Sequence, residues 1–206
     1  MKKIAEPSYS EELQYLSINS INGYRVDNCE YKDEELEDDY KQIEFYECKF
    51  SNVTIHETMS SCLFADVIFD HCDFSNACFE DSVFRRCVFR NCRMTGNDLS
   101  SCSFTDVKIL HSQCTLINLN ASKWNRCEWN QCIFRDGSLS FVQLKDVNVL
   151  DCDFSHCEIN QTPLNGIDLS TSQINDIAIL SENLKGVIVN EEQAIVLASL
   201  LGIVVK

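Results

Sequence analysis

The sequence is poor in glycine and proline and has no long apolar run, and each shortage excludes a class of protein. Six glycines and two prolines among 206 residues are too few for a collagen-like or low-complexity chain, and no glycine cluster forms a phosphate-binding loop. No apolar stretch approaches the ~18 residues of a membrane-spanning helix. No charged segment followed by an apolar run opens the chain, as a secretory leader would. We therefore expect one cytoplasmic domain.

Basic residues are also scarce. The chain has 32 acidic and 17 basic residues, a net charge of −15. Ten of the acids lie in the stretch from Asp27 to Glu47, a charge run of the kind that usually forms a solvated loop. Such a molecule repels nucleic acid and attracts the proteins that bind it. We predict no nucleic-acid partner, no membrane contact, no cofactor and no enzymatic activity.

What the chain does contain is a five-residue repeat. From Met59 to Val189 every fifth residue is apolar, in one unbroken register. A small or β-branched residue precedes nearly every apolar centre by two positions, so both side chains point to the same side of an extended chain. Upstream of this stretch, the centres lie one residue out of register, at Tyr40, Phe45, Phe50 and Ile55. A chain that turns at every quintet and always buries the same side closes into a coil.

This pattern, as in Cys72-Asp73-Phe74-Ser75-Asn76, resembles the pentapeptide-repeat family. The resemblance implies an all-β fold, a right-handed quadrilateral parallel β-helix with four quintets per coil, over residues 40–189. Residues 1–39 are expected to form an acidic N-terminal segment with partly degenerate repeats, in which residues 10–16 could be a short helix. A twenty-residue coil would stack Phe64, Phe84 and Phe104 on one face. Residues 190–206 are expected to form a short C-terminal capping and dimerisation helix.

The thirteen cysteines are best explained as packing residues. A short secreted protein with so many would be a disulfide scaffold, but here ten occupy the small inward position of a quintet. They alternate there with Ala, Val and Ser, so cysteine acts as a small hydrophobic residue. Cys72, Cys92, Cys132 and Cys152 should stack in a ladder with Ser112 between them. No Cys-x-x-Cys pair occurs and the histidines fall at outward positions, so we predict no metal site and reduced thiols.

The C-terminus has the pattern of a helix. Asn190 can cap a helix that begins at Glu191 and stops at Gly202. Apolar residues occur on nearly all sides of this helix. One side can therefore cover the open end of the coil, and the remaining apolar surface needs a second chain to cover it. The predicted dimer interface consists of Ile195, Val196, Leu197, Leu200 and Leu201.

Two C-terminal stretches, residues 162–170 and 184–194, resemble the end of bacterial Qnr-like pentapeptide-repeat proteins. This resemblance implies a DNA-mimicking, head-to-head dimer that binds DNA gyrase or topoisomerase IV and can blunt quinolone action. The predicted partner-binding acids form two groups, on two neighbouring faces of the rod. The first group is Asp73, Asp136, Asp153 and Asp176, and the second is Asp70, Glu128, Asp151 and Asp168.

Two observations favour an alternative, a protein-interaction scaffold without a topoisomerase partner. Outward positions twenty residues apart alternate in charge and should neutralise one another: Asp66, Arg86, Asp106, Arg126 and Asp146. Outward apolar residues could also form a protein-binding patch: Leu110, Leu116, Phe141 and Leu150. The unbroken register also leaves no projecting loop between Met59 and Val189, which is a departure from the Qnr-like pattern.

Overall fold

The protein folds as a coil of short parallel strands with one helix at its C-terminal end. The structure, a computed structural model, describes residues 3–10, 12–21, 23–200 and 202–204. The strands are β1 (Gln14–Tyr15), β2 (Arg25–Asp27), β3 (Cys29–Lys32), β4 (Tyr40–Lys41), β5 (Glu44–Tyr46), β6 (Lys49–Ser51), β7 (Met59–Ser60), β8 (Leu63–Ala65), β9 (Ile68–Asp70), β10 (Val83–Arg90), β11 (Ser103–Leu110), β12 (Lys123–Asn130), β13 (Gln143–Leu150), β14 (Glu158–Ile159) and β15 (Ala178–Ile179). Two 3-10 helices, Ile18–Ser20 and Ser181–Leu184, and one α-helix, α1 (Glu191–Leu200), complete the secondary structure of these residues.

Each strand pairs in parallel with strands one coil away, which confirms the predicted β-helix. Phe84 pairs with Phe104, Phe104 with Trp124 and Trp124 with Leu144, so one coil takes twenty residues, or four quintets. The chain completes about 8 turns. At the inter-strand spacing of ~4.8 Å, the rod is roughly 37 Å long.

The coil has four faces, which we name by their central residues. The first face carries Phe64, Phe84 and Phe104 and the second carries Phe69, Phe89 and Ile109. The third face carries Phe74, Met94 and Cys114, and the fourth carries Phe79, Leu99 and Leu119.

The first two coils are one residue shorter than the others. Phe45 pairs with Phe64 and Tyr40 with Met59, in both cases nineteen residues apart. The bridge from Thr54 to Asp73 still spans nineteen residues, whereas the next bridge, from Thr58 to Cys78, spans twenty. One residue is therefore missing between the third and fourth faces, which explains the shift of register seen in the sequence.

The N-terminal segment joins the coil as an edge strand. The predicted helix over residues 10–16 is wrong, because β1 (Gln14–Tyr15) is extended and pairs in parallel with β3 (Cys29–Lys32). By covering the first coil's open edge, β1 provides partners for backbone groups that a helix would leave exposed. The side chain of Ile18, which is fully buried, closes this end of the core.

The core changes from aromatic to aliphatic along the rod. The ring of Phe84 stacks between Phe64 and Phe104 at centroid distances of 4.9 and 5.0 Å, with planes 5° and 4° apart. Trp124 continues the stack 3.7 Å from Phe104. Leu144 and Leu164 follow in the last coils, as the spacing predicts. Offset stacking of this kind adds ~0.5–1.5 kcal/mol per pair to the burial itself.

A left-handed residue follows almost every centre by two positions. Asp66, His71 and Asn76 have φ of 58°, 57° and 60°, a conformation that Asn, Asp and Gly adopt most easily. This requirement explains why polar residues recur at the corners of the coil. Leu116 and Phe141 adopt it too, with φ of 59° and 61°, although both are bulky and more than half exposed.

The cysteines are free thiols within the described part of the chain, and all but Cys78 are buried. Burial raises the pKa of Cys87 and Cys157 to about 12, because the low-dielectric interior disfavours the thiolate. The ladder with Ser112 is present, and the Cys92 N–H donates to the Ser112 hydroxyl at 3.1 Å. Cysteine therefore serves as a packing residue.

Candidate interaction surfaces

Charge is distributed unevenly around the rod. Twelve acidic and three basic residues occupy the outward repeat positions of the third face, of the fourth face and of the corner between them, a region we call the acidic side. Its acids are Glu35, Glu37, Asp38, Asp39, Glu57, Asp73, Glu80, Asp98, Asp136, Asp153, Glu158 and Asp176. The first face differs, since its outward positions from Leu63 to Asn165 include Arg85, Lys123 and Lys145 but no acid.

The first predicted group of acids lies on the acidic side. Asp136 and Asp176 are exposed at the corner, and the Asp176 side chain is 82% exposed, 3.9 Å from His156. Asp73 lies on the third face, where it accepts hydrogen bonds from the Ser75 N–H at 3.0 Å and hydroxyl at 2.6 Å. Burial opposes its ionisation, but the Ser75 hydrogen bonds hold the pKa of Asp73 below its usual value.

Asp153 departs from the prediction. This residue is only 8% exposed, because its carboxylate accepts from Arg135 at 2.5 Å and from the Ser155 N–H at 2.9 Å. Although burial alone would raise it, these hydrogen bonds hold the pKa of Asp153 below its usual value. The expectation of an outward, available carboxylate is wrong here, and Asp153 fixes the local turn.

The second predicted group lies on the second face, whose outward positions carry four acids and four bases. Asp70 accepts from Arg90 at 2.8 Å and contacts His71 at 2.8 Å, and Arg90 lowers the pKa of Asp70. Glu128 accepts from Asn130, Asp168 accepts from the Ser170 N–H and Asp151 is exposed at the next corner. This face is balanced in charge.

Sequence reasoning missed part of the acidic side. Glu80, Asp98 and Glu158 lie outward on the fourth face, beside the corner that carries Asp136 and Asp176. The signal was available, since positions twenty residues apart share a face. Counting every acid and every base on each of the four faces would have separated the acidic side from the balanced second face.

The alternating ladder lies at the corner between the first and second faces. Arg86 binds Asp66 through two hydrogen bonds of 2.7 and 2.5 Å, and Arg126 binds Asp106 at 2.8 and 2.6 Å. The Arg126 guanidinium lowers the pKa of Asp106. Each arginine thus pairs with the carboxylate one coil before it, as the twenty-residue spacing predicts, and this corner neutralises itself.

The C-terminal helix closes the coil. Asn190 and Gln193 cap its start reciprocally, at 2.9 and 2.8 Å, and the Gln193 amide donates to the carbonyls of Leu169 and Ser172 in the last coil. Such a capping box satisfies backbone donors at a helix start. At the other end Gly202, with a φ of +73°, donates its N–H to Ser199.

The helix leaves an apolar surface uncovered. Ile195, Val196 and Leu200 are 54%, 40% and 47% exposed. Leu197 does not belong to this surface, since it is only 7% exposed and packs against the core. Its predicted place in the interface is therefore wrong. Leu201, the remaining predicted interface residue, lies outside the described residues.

The described residues include no group of three or more metal-ligating side chains and no helix long and apolar enough to span a membrane. An apolar cavity of about 20 Å³ lies between the last aromatic and the first aliphatic coils, lined by Trp129, Leu144, Phe154 and Leu164 among others. Its apolar lining offers too few polar partners to hold a water.

Known sequences and structures give the following matches. Models of the "Pentapeptide repeat region" and of "Pentapeptide repeats (8 copies)" match residues 62–128 and 112–149. No curated protein sequence matches. A trypsin-treated variant of QnrB1, a plasmid-mediated fluoroquinolone resistance protein, is 21% identical, with 93% of this chain and 95% of that chain covered and a TM-score of 0.46. HetL, involved in heterocyst differentiation regulation in the cyanobacterium Nostoc sp. strain PCC 7120, is 10% identical, with coverages of 82% and 90% and a TM-score of 0.43.

The matched quintets and those on either side of them form one continuous stack. The same pairing continues from β2 (Arg25–Asp27) to β15 (Ala178–Ile179). Residues 62–149 therefore carry pentapeptide repeats, and their quintets, left-handed corners and four-sided coil continue on either side of the matched region.

Proposed function

We propose that this protein binds DNA gyrase or topoisomerase IV as a DNA mimic in the cytoplasm, with the acidic side of the rod facing the enzyme's DNA-binding groove. The observation that carries the proposal is the concentration of eleven solvent-accessible acids, with Asp153 left out as buried, against three bases on one side of a rigid rod. Duplex DNA presents a similar feature, a negatively charged rod of fixed width, to the same basic groove. The acidic side would replace DNA in that groove.

The exposed apolar surface of α1 (Glu191–Leu200) would join two rods end to end. Ile195, Val196 and Leu200 cluster at the tip of the rod, where a second copy can cover them. Two rods of roughly 37 Å would form a cylinder of roughly 75 Å. Such a dimer would extend the acidic side along the full groove, and quinolone protection would follow from displacing the DNA that the drug requires.

The test is a supercoiling assay with gyrase, titrated with this protein with and without a quinolone. The acidic-side variant combines Asp136→Asn, Glu158→Gln and Asp176→Asn. The matched control, on or beside the balanced face, combines Glu128→Gln, Asp151→Asn and Asp168→Asn, with the same change in net charge. If three exposed ion pairs contribute about 0.5 kcal/mol each, the acidic-side variant binds about tenfold more weakly.

The wild-type complex should weaken as salt rises, because its contacts are between exposed charges, and duplex DNA should compete. Equal losses in both triple variants would show that only net charge matters. The absence of a complex at low salt would reject topoisomerase binding.

A second function, a scaffold for another protein, is favoured by Leu116 and Phe141. Both are exposed apolar side chains in left-handed conformation, a conformation that costs bulky residues ~1–2 kcal/mol. They lie at the two corners of the fourth face. A partner that binds there would be lost on changing Phe141, which lies outside the acidic side, to Asn, with gyrase binding unchanged.

A further inference from the structure

Residues 3–10 run along the outside of the rod, across successive coils. The Ala5 N–H donates to the Asp106 carboxylate at 3.3 Å and the Ser8 N–H donates to the Asp66 carboxylate at 3.1 Å. Asp66 and Asp106 are forty residues apart and therefore two coils apart. The segment lies along the rod axis with its N-terminal side toward the helix-capped end.

The spacing of the segment matches the spacing of the coil. Three residues of an extended, polyproline-like chain advance about 9.3 Å, and two coils advance about 9.6 Å. Pro7 favours this conformation, because its ring fixes φ near −65° and restricts Glu6 to extended geometry. A peptide of this form can donate every third N–H to every second coil along the ladder.

Side chains on both sides complete the contact. Glu6 forms an ion pair with Lys108, and Pro7 and Tyr9 line a groove with Ile68, Val88 and Leu110. We call Asp66, Ile68, Val88, Asp106, Lys108 and Leu110 the docking strip. It provides two acceptors, one cation and an apolar floor.

The segment is held differently from the rest of the chain. Within the described residues, the backbone of residues 3–10 forms no hydrogen bond to another backbone group, whereas every coil is paired to its neighbours. Its two backbone donors bind carboxylates that Arg86 and Arg126 also bind. Those carboxylates keep their arginine partners when the segment leaves, so its release costs little.

We propose that the docking strip is a binding site for an extended peptide of the type Ala-Glu-Pro-Ser, and that the chain's own residues 3–10 are its exchangeable occupant. Recognition depends on a carboxylate for Lys108, a proline after it, and N–H groups three residues apart. Another chain that carries such a segment can bind the strip when residues 3–10 are displaced. This site is separate from the acidic side and does not depend on topoisomerase binding.

Charge reversal in the full-length chain tests the proposal. Glu6→Lys breaks the ion pair without changing the coil, Lys108→Glu breaks it from the other side, and the double variant restores it with reversed charges. Hydrogen exchange of residues 3–10, measured by mass spectrometry, should be about tenfold faster in each single variant and return toward the wild-type rate in the double variant. Far-UV circular dichroism and urea midpoints show whether each variant keeps its coil.

The binding measurement uses a fluorescent synthetic peptide of residues 3–10. It should bind the Glu6→Lys chain at least tenfold more tightly than wild type, because a tethered segment competes at an effective concentration in the millimolar range. A peptide carrying the Glu6→Lys change should bind the Lys108→Glu chain instead. The proposal is overturned if the exchange rates of residues 3–10 are the same in the single variants as in the wild type, or if exchange in the double variant remains fast. It is also overturned if the peptide binds all chains with equal affinity or binds none of them.

Discussion

Phe134→Ala should destabilise the coil by about 4 kcal/mol. The side chain is fully buried; its ring stacks on Phe154 at 5.0 Å with planes 1° apart and lies 5.2 Å from Trp129. Truncating a buried Phe to Ala costs ~3–5 kcal/mol, and losing two aromatic contacts places this site in the upper half of that range. With an m-value of about 2.5 kcal/mol/M in urea, the midpoint should fall by about 1.6 M.

The assay is equilibrium urea unfolding, followed by circular dichroism and by the fluorescence of Trp124 and Trp129. Both tryptophans lie within one coil of the substitution, whereas circular dichroism reports on the whole rod. The control is Phe134→Leu, which keeps most of the volume and should cost less than about 1.5 kcal/mol. If Phe134→Ala costs no more than this control, the interior is not tightly packed at this position and the reasoning fails.

Other parts of the structure give further predictions. Leu200→Asp should convert a dimer into a soluble monomer in sedimentation, because an unpaired carboxylate is costly to bury; a wild type already monomeric at micromolar concentration would contradict the dimer. Thiol titration of native protein should show one fast thiol, Cys78, and the full thirteen only on unfolding, because burial raises the pKa of thiols such as Cys87; a stoichiometric metal or a disulfide would refute this. Phe141→Asn should raise the free energy of unfolding by about 1 kcal/mol and so raise the urea midpoint, because Asn tolerates φ of 61° better than Phe does. An unchanged midpoint would argue against strain there. Stability should be level at neutral pH and fall below about pH 4, because Asp70 and Asp106 have folded pKa values below their usual ones and their contribution is lost as pH falls through those values; Asp106→Asn should make the fall smaller, and an equal fall would assign it to other carboxylates.

The regular part of the fold could be predicted from the sequence because every quintet repeats the same physical demand. Each quintet has a small inward residue, a large inward residue and a corner. This pattern alone predicts the stack of Phe64, Phe84 and Phe104, and no information on contacts between coils is needed. The cap at Asn190 and the stop at Gly202 could also be predicted, since both depend on local backbone chemistry.

Prediction failed where a residue's role depends on a neighbour that no repeat specifies. Asp153 has the outward position of its quintet, yet Arg135 and Ser155 bind and bury it. Leu197 lies on an apolar helix, and only the end of the coil decides which side is covered. Residues 3–10 follow no period, and their position depends on two carboxylates more than fifty residues away.

The nineteen-residue coils have a consequence for how the rod comes apart. In a solenoid each coil is stabilised only by its own folding and by its junctions with two neighbours. Coils of equal length match on all four faces. The second coil, however, advances only four residues from Ile55 to Met59, and it stacks on a coil that advances five residues from Phe74 to Phe79. That junction has less regular pairing than any junction between two twenty-residue coils. Under load or denaturant, the aromatic N-terminal pair of coils should separate there as a unit, so the chain behaves as two cooperative blocks within one continuous rod.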